Sequence, residues 1–366
     1  MRIKIVGAGL IGTSIALALK QQGHLVTVTD RDHSNEDLAR SLLGVSAVTE
    51  VGEAALSPEV ILIATPISSI FTTLCTEFNE NSEATFIDIG GLKSNLVLEV
   101  ATIPGLNSRF CSTHPMAGRE VNGPAAARAD LFRGRPWLIT PSAQTDPRVL
   151  SIARDIASEC GATVVEMAPE EHDSAIALIS HLPQVTASLL GSVIQAEVGA
   201  ESEEANYLSL SGQGLRDTIR LASSDSRMWS ELLLYNRSSI IPLLETLTSK
   251  IASLTEALEN EDEDGIREIL DLGAQGKSLI PGKHGGVARN YHYLPIVIDD
   301  RPGQLARIFL ECAQANVNIE DLMMEHSPGQ QTGLITLALS AEDATKLHSH
   351  LTSLGWLAHS PRANAQ

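Results

Sequence analysis

Two histidines and two arginines in the central part of the sequence have types and spacing that could do chemistry: His114, His181, Arg216 and Arg220. The pKa of an imidazole lies near working pH, so His114 suits taking a proton from a hydroxyl while hydride leaves the same carbon. Arg216 and Arg220 lie one helical turn apart, and a guanidinium fork matches a carboxylate. The plainer alternatives are a structural histidine and ion pairs between the arginines and acids such as Asp217. The set favours oxidation of a hydroxylated substrate that carries a carboxylate.

His181 belongs to the segment Ser180-His181-Leu182-Pro183-Gln184, inside an otherwise apolar helical run. Helical spacing puts His181 and Gln184 on the same face. Pro183 is expected to break the helix, because proline lacks an N–H and its ring clashes with the preceding turn.

The first thirty residues have the pattern of a dinucleotide-binding βαβ unit. A short apolar strand ends at Gly7-Ala8-Gly9-Leu10-Ile11-Gly12, a helix follows, and a second, β-branched strand ends at Asp30. A glycine turn between a strand and a helix, followed by an acid at this spacing, predicts a bound dinucleotide.

Each glycine of this turn has a mechanical role. Gly7 permits a tight turn, Gly9 lets the backbone approach a pyrophosphate, and Gly12 lets the helix pack closely on the strand. The helix start, at Leu10 and Ile11, offers N–H groups and a positive dipole end to the phosphates.

Asp30 sets the expected choice of cofactor. Its carboxylate would accept hydrogen bonds from the adenine ribose hydroxyls and repel a 2′-phosphate, which favours NAD over NADP. Arg31 could weaken that preference. Thr65 and Pro66 follow the next buried strand, and they are expected beside the glycine turn because the carboxyl ends of parallel strands share one edge.

The elements that must position these residues begin as a βα alternation. Apolar runs without period-2 alternation are typical of parallel strands covered on both faces. Further strands are predicted at 60–65, 85–89, 109–113, 136–140 and 162–166, with a helix near 147–159. His114 would then follow a strand that ends at the cofactor edge of the sheet.

From Pro169 the hydrophobic period becomes helical, and no strand-like run appears until about Tyr293. Apolar residues recur mostly three or four positions apart at Trp229, Leu233, Ile240, Leu243, Leu247, Ile251, Leu254 and Leu258. They predict one very long helix, about 45 Å at 1.5 Å per residue, kinked or divided at Pro242. The stripe is too long for a small monomeric domain to cover, so we expect a homodimer, with packing inside the chain as the alternative.

The C-terminal part has the order βαββαβ, the ferredoxin-like plan. Strands are predicted from His292 to Ile298, 317–325, 334–339 and 356–358, with helices at 304–315 and 341–354. A glycine-rich linker, 276–286, precedes them. The expected domains are a Rossmann-type α/β domain at 1–168, an all-helical substrate and dimerisation domain at 169–285, and the ferredoxin-like domain at 290–366.

Composition limits the kinds of partner. The net charge of −19 disfavours nucleic acid and anionic membranes, since either would repel the chain. The four cysteines have no CxxC spacing, which favours free thiols over disulfides or metal ligands. No apolar run reaches about 18 residues, the length of a membrane span, and the N-terminus is already a strand. The sequence therefore predicts a cytoplasmic protein with no metal, membrane span or signal peptide.

The motifs taken together resemble the prephenate dehydrogenase family of tyrosine biosynthesis. The resemblance rests on the glycine turn, Ser112-Thr113-His114-Pro115-Met116-Ala117-Gly118, Ser180-His181-Leu182-Pro183 and the segment from Gly214 to Trp229. The tail resembles an ACT regulatory domain through Asp299-Asp300-Arg301-Pro302-Gly303. The likeness covers essentially the whole chain.

The resemblance implies an oxidative decarboxylation of prephenate with NAD. By this likeness His114 is the base on the C4 hydroxyl, His181 contacts the substrate, and Arg220 binds a carboxylate. Arg216 is a second contact, Asp217 orients the arginine, and Trp229 supports the wall of the site. The remaining candidate substrate contacts are Gln184 and Ser112.

Two departures from the family pattern bear on the site. Many members have a serine, which hydrogen-bonds the catalytic histidine, where this chain has Gly91, so Ser112, Thr113, Ser94 or water must orient His114. The second departure is Gln184 in place of a second histidine, and it leaves arogenate, the amino analogue, open as substrate.

The ACT resemblance implies an amino-acid effector, expected to be tyrosine, near 299–303; a domain that only dimerises is the alternative. A noncatalytic regulator that binds NAD and an amino acid also remains open. Generic 3-hydroxy-acid dehydrogenases share the two-domain layout but fit the paired arginines less well.

Overall fold

The structure, a computed structural model of the 366-residue chain, describes residues 1–44, 57–117, 123–198, 208, 210–280, 291–326 and 332–363. Gly118 of the motif after His114 and residues 281–286 of the predicted linker lie outside the described residues. The chain divides into two compact units. The first contains Met1–Leu189 and Leu221–Thr246, and the second contains Leu190–Arg220 and Leu247–Gln366.

A seven-stranded sheet with flanking helices dominates the first unit. Its elements in chain order are β1 (Arg2–Val6), α1 (Leu10–Gln21), β2 (Leu25–Thr29), α2 (His33–Leu43), β3 (Val60–Ile63), α3 (Ile67–Glu80), β4 (Thr85–Asp88), α4 (Ser94–Ala101), α5 (Leu106–Arg109), β5 (Phe110–Pro115), β6 (Pro136–Thr140), α6 (Pro147–Glu159) and β7 (Thr163–Glu166). The strand order is β2-β1-β3-β4-β5-β6-β7. Neighbours among β1 to β5 pair in parallel, and β6 runs antiparallel to β5. The predicted Rossmann-type domain is confirmed.

The central strands are apolar throughout because helices cover both faces of the sheet. Val60 and Leu62 belong to the core that includes Ile15 of α1. Ile61, between them, belongs to the opposite core, which includes Leu74 of α3. Strand pleating sends alternate side chains to opposite faces, so an unbroken apolar run fills both layers.

A long helical run follows the sheet. It consists of α7 (Pro169–Ile176), a π-helical turn (Ala177–His181) and α8 (Leu182–Val198). In the π turn the N–H of Leu182 donates to the carbonyl of Ala177, five residues earlier. The prediction that Pro183 breaks the helix is wrong, because the wider turn relieves the clash that a proline ring meets in a regular α-helix.

The same run is more apolar than the sequence expectation allowed. Within the described ranges, one helical stretch, Pro169–Val198, is long and apolar enough by length and composition to cross a membrane. Its first half, however, buries His172, Asp173 and His181. Buried ionisable groups of this kind are typical of a helix packed inside a folded domain.

The predicted single helix from Trp229 to Leu258 is in fact two helices. The two helices are α10 (Ser226–Tyr235) and α11 (Arg237–Glu259). Before them come α9 (Gln213–Ile219) and a 3-10 turn (Arg220–Ser223), and after them comes α12 (Glu263–Ser278). The break falls at Asn236, whose φ of −105° and ψ of 20° leave the helical region. Pro242 lies inside α11 without ending it. The predicted linker also starts later than expected, since α12 includes Gly276.

The end of the second unit is a four-stranded antiparallel sheet with two helices. Its elements are β8 (His292–Asp299), α13 (Gln304–Gln314), β9 (Asp321–His326), β10 (Thr332–Leu339), α14 (Ala341–Ser353) and β11 (Leu357–Ala358). The strand order is β11-β8-β10-β9, as the ferredoxin-like plan requires. The strand predicted from Val317 starts only at Asp321, because the Val317 N–H closes α13 by donating to the Cys312 carbonyl.

The cysteines behave as predicted. All four are free thiols; Cys111, Cys160 and Cys312 are buried and Cys75 is half-buried. Burial raises the pKa of Cys111 and of Cys160 to about 12, so both stay protonated and act as small apolar side chains.

Candidate active site

The glycine turn after β1 leaves open space in front of α1. Gly7 has a φ of +114°, and a Cβ there would lie 2.4 Å from the Ala64 carbonyl oxygen. A Cβ at Gly12 would lie 2.1 Å from the Gly7 carbonyl oxygen, whereas one at Gly9 would meet nothing within 4 Å. The turn is therefore closed against the sheet and open above the helix N-terminus, where Leu10 and Ile11 begin α1. This geometry suits a pyrophosphate.

Asp30 is held against this turn by backbone donors. Its Oδ2 accepts from the Ala8 N–H at 2.6 Å, and its Oδ1 accepts from the Asp32 N–H at 2.8 Å. The carboxylate thus lies where β2 ends, beside the turn, as the ribose contact of a dinucleotide site requires. Arg31 next to it is exposed.

Thr65 and Pro66 follow the neighbouring strand β3. The Thr65 hydroxyl is buried and has no hydrogen-bond partner among the described residues. Pro66 is the residue before the first turn of α3. A buried hydroxyl without a partner at the edge that carries the glycine turn is available to bond a cofactor bound there.

A buried ion pair lies where β4 ends. The Lys93 Nζ is 2.5 Å from the Asp88 Oδ2, and both side chains are 0% exposed. Lys93 also donates to the Thr113 carbonyl at 2.7 Å, and the Ser112 hydroxyl donates to the Asp88 Oδ1 at 2.6 Å. Burial lowers the pKa of Lys93, while Asp88 opposes that shift. The pair fixes the end of β4 to β5, directly before His114.

His114 contacts a second imidazole that the sequence analysis did not identify. Its Nδ1 lies 3.0 Å from the Nε2 of His172 on α7, and the His172 Nδ1 lies 2.8 Å from the Asp173 Oδ1. The two rings meet edge to face with centroids 5.2 Å apart. The Ser112 and Thr113 hydroxyls bond Asp88 instead. His172, not one of the predicted serines or threonines, is therefore the partner of His114.

Asp173 is anchored at the start of α4. Its Oδ1 accepts from the Lys93 N–H and its Oδ2 from the Ser94 N–H, both at 2.9 Å. Burial raises the pKa of Asp173, but hydrogen bonds from His172, Ser94 and Lys93 outweigh it and leave the pKa below its ordinary value. The carboxylate is consequently ionised at neutral pH.

The surroundings keep His114 neutral. Burial holds the pKa of His114 well below its ordinary value, and the repulsion that a protonated His114 would meet from a protonated His172 and from Lys93 lowers it further. A neutral imidazole has a lone pair with which to accept a proton. His114 therefore has the protonation state that a general base needs.

His181 is turned into the same region by the π turn. It is buried, and its Nδ1 lies 3.2 Å from the Asn236 Nδ2, which also donates to the Asp173 carbonyl at 2.9 Å. Its ring meets Trp229 edge to face, with centroids 5.6 Å apart. Burial is the largest cause that lowers the pKa of His181. Because Asn236 donates to Nδ1, the neutral ring carries its proton on Nε2 and can act as a donor.

Both ends of the Gln184 amide bond other groups of the protein. Its Nε2 donates to the Leu221 carbonyl at 2.8 Å, and its Oε1 accepts from the Ser224 hydroxyl at 3.3 Å. Gly91 lies closer to the base: a Cβ there would be 4.0 Å from the His114 Nε2 and 3.3 Å from Leu232. The glycine thus leaves room beside the reactive nitrogen.

The two predicted arginines lie in the other unit. Arg216 and Arg220 belong to the second unit, whereas His114 and His181 belong to the first. Both arginines are exposed, and Arg216 donates to the Ser211 carbonyl at 3.4 Å. The structure brings His114 and His181 together through Asp173. The convergence of the arginines on these histidines stays a prediction.

Two family models match the chain in succession. The model described as prephenate dehydrogenase, nucleotide-binding domain, matches residues 15–166, and the one described as prephenate dehydrogenase, dimerization domain, matches residues 168–272. The chain belongs to the prephenate dehydrogenase family. The resemblance seen in the motifs around His114 and His181 is thereby confirmed, and the helical region is that family's dimerisation domain.

Related prephenate and arogenate dehydrogenases cover much or all of the chain. NovF, a probable prephenate dehydrogenase from Streptomyces niveus, is 30% identical over 97% of this chain and 99% of its own length. A prephenate dehydrogenase from A. aeolicus, solved with hydroxyphenyl propionate and NAD+, has a TM-score of 0.65 and 26% identity over 76% of this chain and 97% of that chain. Synechocystis arogenate dehydrogenase has a TM-score of 0.62 and 26% identity over 76% and 99%.

These likenesses set the class of reaction. The chain is an NAD-dependent dehydrogenase of the prephenate/arogenate type. NAD is its cofactor, and the open glycine turn, Asp30 and the unsatisfied Thr65 hydroxyl fit that molecule.

Proposed function

We propose that this protein catalyses the oxidative decarboxylation of prephenate to 4-hydroxyphenylpyruvate, a step of tyrosine biosynthesis. The observation that carries the proposal is a neutral, partnered His114 at the sheet edge that also carries the glycine turn. NAD, when bound, accepts hydride from the ring carbon that bears the hydroxyl. Loss of CO2 then makes the ring aromatic, so the step is effectively irreversible.

Each candidate residue has a role in this proposal. His114 takes the proton of the hydroxyl, and His181 donates a hydrogen bond to the substrate from its Nε2. Arg220, assisted by Arg216, binds a carboxylate, for which the planar guanidinium fork is suited. Gln184 and Ser112 act from the edge of the site through the groups they hold, Leu221 and Asp88. The cofactor lies along residues 7–12, Asp30, Arg31, Thr65 and Pro66.

Each proposed domain has one of these roles. Residues 1–168 hold the cofactor, residues 169–285 complete the substrate site and form a homodimer, and residues 290–366 regulate. The proposed location is the cytoplasm, where a biosynthetic dehydrogenase meets NAD.

The test of the reaction is a steady-state assay of the full chain with prephenate and arogenate, each with NAD and with NADP. Prephenate with NAD is expected to have the highest kcat/KM. His114→Asn should lower kcat by about 10²- to 10⁴-fold with the Kd for NAD unchanged, because it removes only the base. His24→Asn, at a histidine paired with Glu159 away from the site, is the control and should keep full activity.

Arogenate is the second candidate substrate. The likeness to Synechocystis arogenate dehydrogenase supports it. A higher kcat/KM for arogenate than for prephenate would replace the first proposal with the second. NAD binding without turnover of either compound would leave a noncatalytic regulator.

We further propose that the βαββαβ tail is an ACT domain that binds tyrosine as a feedback inhibitor. The ferredoxin-like strand order supports the assignment. The turn after β8 supports it too: the Arg301 N–H donates to the Asp299 carbonyl, and Gly303 has a φ of +89°. Tyrosine should inhibit the full chain and fail to inhibit a chain that ends near Gly282. Equal inhibition of both would exclude the tail as the tyrosine site.

A further inference from the structure

The donors and acceptors in the hydrogen-bond chain from Asp173 through His172 to His114 can be assigned in order, starting at Asp173. Both oxygens of this carboxylate already accept backbone N–H groups, from Lys93 and Ser94. An ionised carboxylate can only accept, so the 2.8 Å contact with His172 requires a proton on the His172 Nδ1.

The position of the proton on His172 then determines the position of the proton on His114. When His172 is neutral, with its proton on Nδ1, it has a lone pair on Nε2. The 3.0 Å contact from this nitrogen to the His114 Nδ1 therefore requires the proton on the His114 Nδ1. The His114 Nε2, beside the space at Gly91, is left with the lone pair.

We propose that His172, oriented by Asp173, is a positioning residue that fixes the tautomer of His114 and takes up its charge during the reaction. This inference rests on the proposed function, since it assigns the reacting proton to a hydroxyl of the substrate. It extends that function by adding a residue that acts through His114.

The proton balance of the step closes within the chain. The substrate O–H bond breaks and an N–H bond forms at the His114 Nε2, while the electron pair of the O–H bond forms the carbonyl as hydride leaves. The His114 Nδ1 proton moves to the His172 Nε2, so the positive charge rests beside Asp173. When CO2 leaves, its bonding pair makes the ring a phenolate, and the proton returns along the same path to that oxygen.

The packing of the three groups supports a positioning role. The His172 side chain is 0% exposed and Asp173 is bound to the start of α4, so neither can be reoriented by solvent. A charge that moves to His172 is consequently stabilised by an ion already in place, with no reorganisation of water.

The test uses the full-length enzyme and two substitutions at His172. His172→Phe removes the acceptor for the His114 Nδ1 proton and should lower kcat by at least about 100-fold, with KM and the Kd for NAD unchanged. His172→Gln keeps an acceptor at that position and should recover at least tenfold of the loss. His24→Phe, which removes another histidine–carboxylate pair remote from the site, should keep the wild-type kcat.

A second measurement needs no substrate. Nitrogen-15 NMR of histidine-labelled protein, at a pH where His114 is neutral, should show the proton of His114 on Nδ1 in the wild type. In His172→Phe it should show a mixture or the Nε2-protonated form. The wild-type spectrum tests the inference even if His172→Phe does not fold.

The outcomes separate this inference from the proposed function. A His114 proton on Nε2 in the wild type, or an unchanged kcat in a folded His172→Phe, overturns the positioning role while the reaction stands. Absence of turnover in the wild type overturns the proposed reaction, and the NMR result then decides the tautomer on its own.

Discussion

At the scale of single residues, the site combines a base kept neutral with a carboxylate kept charged. His114 and Asp173 are linked through His172, although 58 positions separate His114 from His172 in the sequence. His114 could be predicted because it follows a strand that ends at the cofactor edge. His172 could not, because nothing in the neighbouring residues indicates that α7 places it against β5. The adjacent pair His172-Asp173 in the first turns of a helix was the only local signal.

The protonation state of His114 leads to a prediction about pH. A lowered pKa means that the neutral, active form persists below pH 6.5, the ordinary value. The kcat/KM should therefore stay level from neutral pH to below 6.5 and fall only when His114 is protonated. The titratable and charged groups that face His114 are His172, Lys93, Asp173 and His181. A pH–rate profile that falls with a midpoint at or above 6.5 would contradict a base kept neutral by its surroundings.

The same shift affects stability with a definite sign. Below about pH 6.5 the unfolded chain binds a proton on this histidine and the folded chain does not. The free energy of unfolding must therefore decrease as the pH is lowered. The loss ends once the pH is below the folded pKa. Urea unfolding at a series of pH values should show a shallower fall for His114→Asn than for the wild type.

Asp30 determines a prediction about the cofactor. Asp30→Asn removes the negative charge that would oppose a 2′-phosphate, so the ratio of kcat/KM with NADP to that with NAD should rise on the order of tenfold. Asp37→Asn, on an exposed residue of α2, is the matched control and should leave the ratio unchanged. An equal ratio in both variants would show that residues other than Asp30 discriminate between NAD and NADP.

At the scale of elements, the sequence pattern predicted those helices and strands whose limits depend on neighbouring residues. The strand from Val60 was predictable because an unbroken β-branched run has few alternatives to a doubly covered strand. The break between α10 and α11 was not, because it depends on Asn236 reaching Asp173 and His181, 63 and 55 positions away. Pro242 carried the stronger local signal, yet the distant hydrogen bonds decided where the helix ends.

Asn236 is consequently expected to stabilise the corner between these helices. Asn236→Ala should lower the free energy of unfolding by about 1–3 kcal/mol, because it leaves the buried His181 Nδ1 without its donor and removes one of the two donors to the Asp173 carbonyl. Asn260→Ala, which removes an exposed bond to the Glu256 carbonyl, should change it by no more than about 0.5 kcal/mol. Urea unfolding measures both, and equal losses would contradict a special role for Asn236.

At the scale of the whole molecule, the helices leave many apolar side chains uncovered. Ile251 and Leu258 of the predicted stripe are each 58% exposed, and Ile179 on the π turn is 61% exposed. The stripe could be predicted from the spacing of its apolar residues, but the surface that covers it could not, because that spacing carries no information about the partner. Exposed apolar surface of this kind indicates an interface.

A homodimer is expected to have twice the chain mass of 39.1 kDa by sedimentation equilibrium. Ile251→Glu should weaken the dimer at least tenfold, because it buries an unpaired charge in an apolar contact. Ser253→Glu, on an exposed residue of the same helix, is the control and should keep the wild-type mass. A monomeric wild type would show that the stripe is covered in another way.

The π turn before Pro183 adds one residue to a helix without rotating the parts on its two sides. A π turn contains one residue more than an α turn. Deleting Leu178, whose side chain is exposed, would let the segment close as a regular α-helix. Because the wider turn absorbs the extra residue, α7 and α8 would then keep nearly their present phase, and the change would be confined to the turn and to His181 at its end. The turn thus sets the direction of one side chain and leaves the helices on either side unchanged.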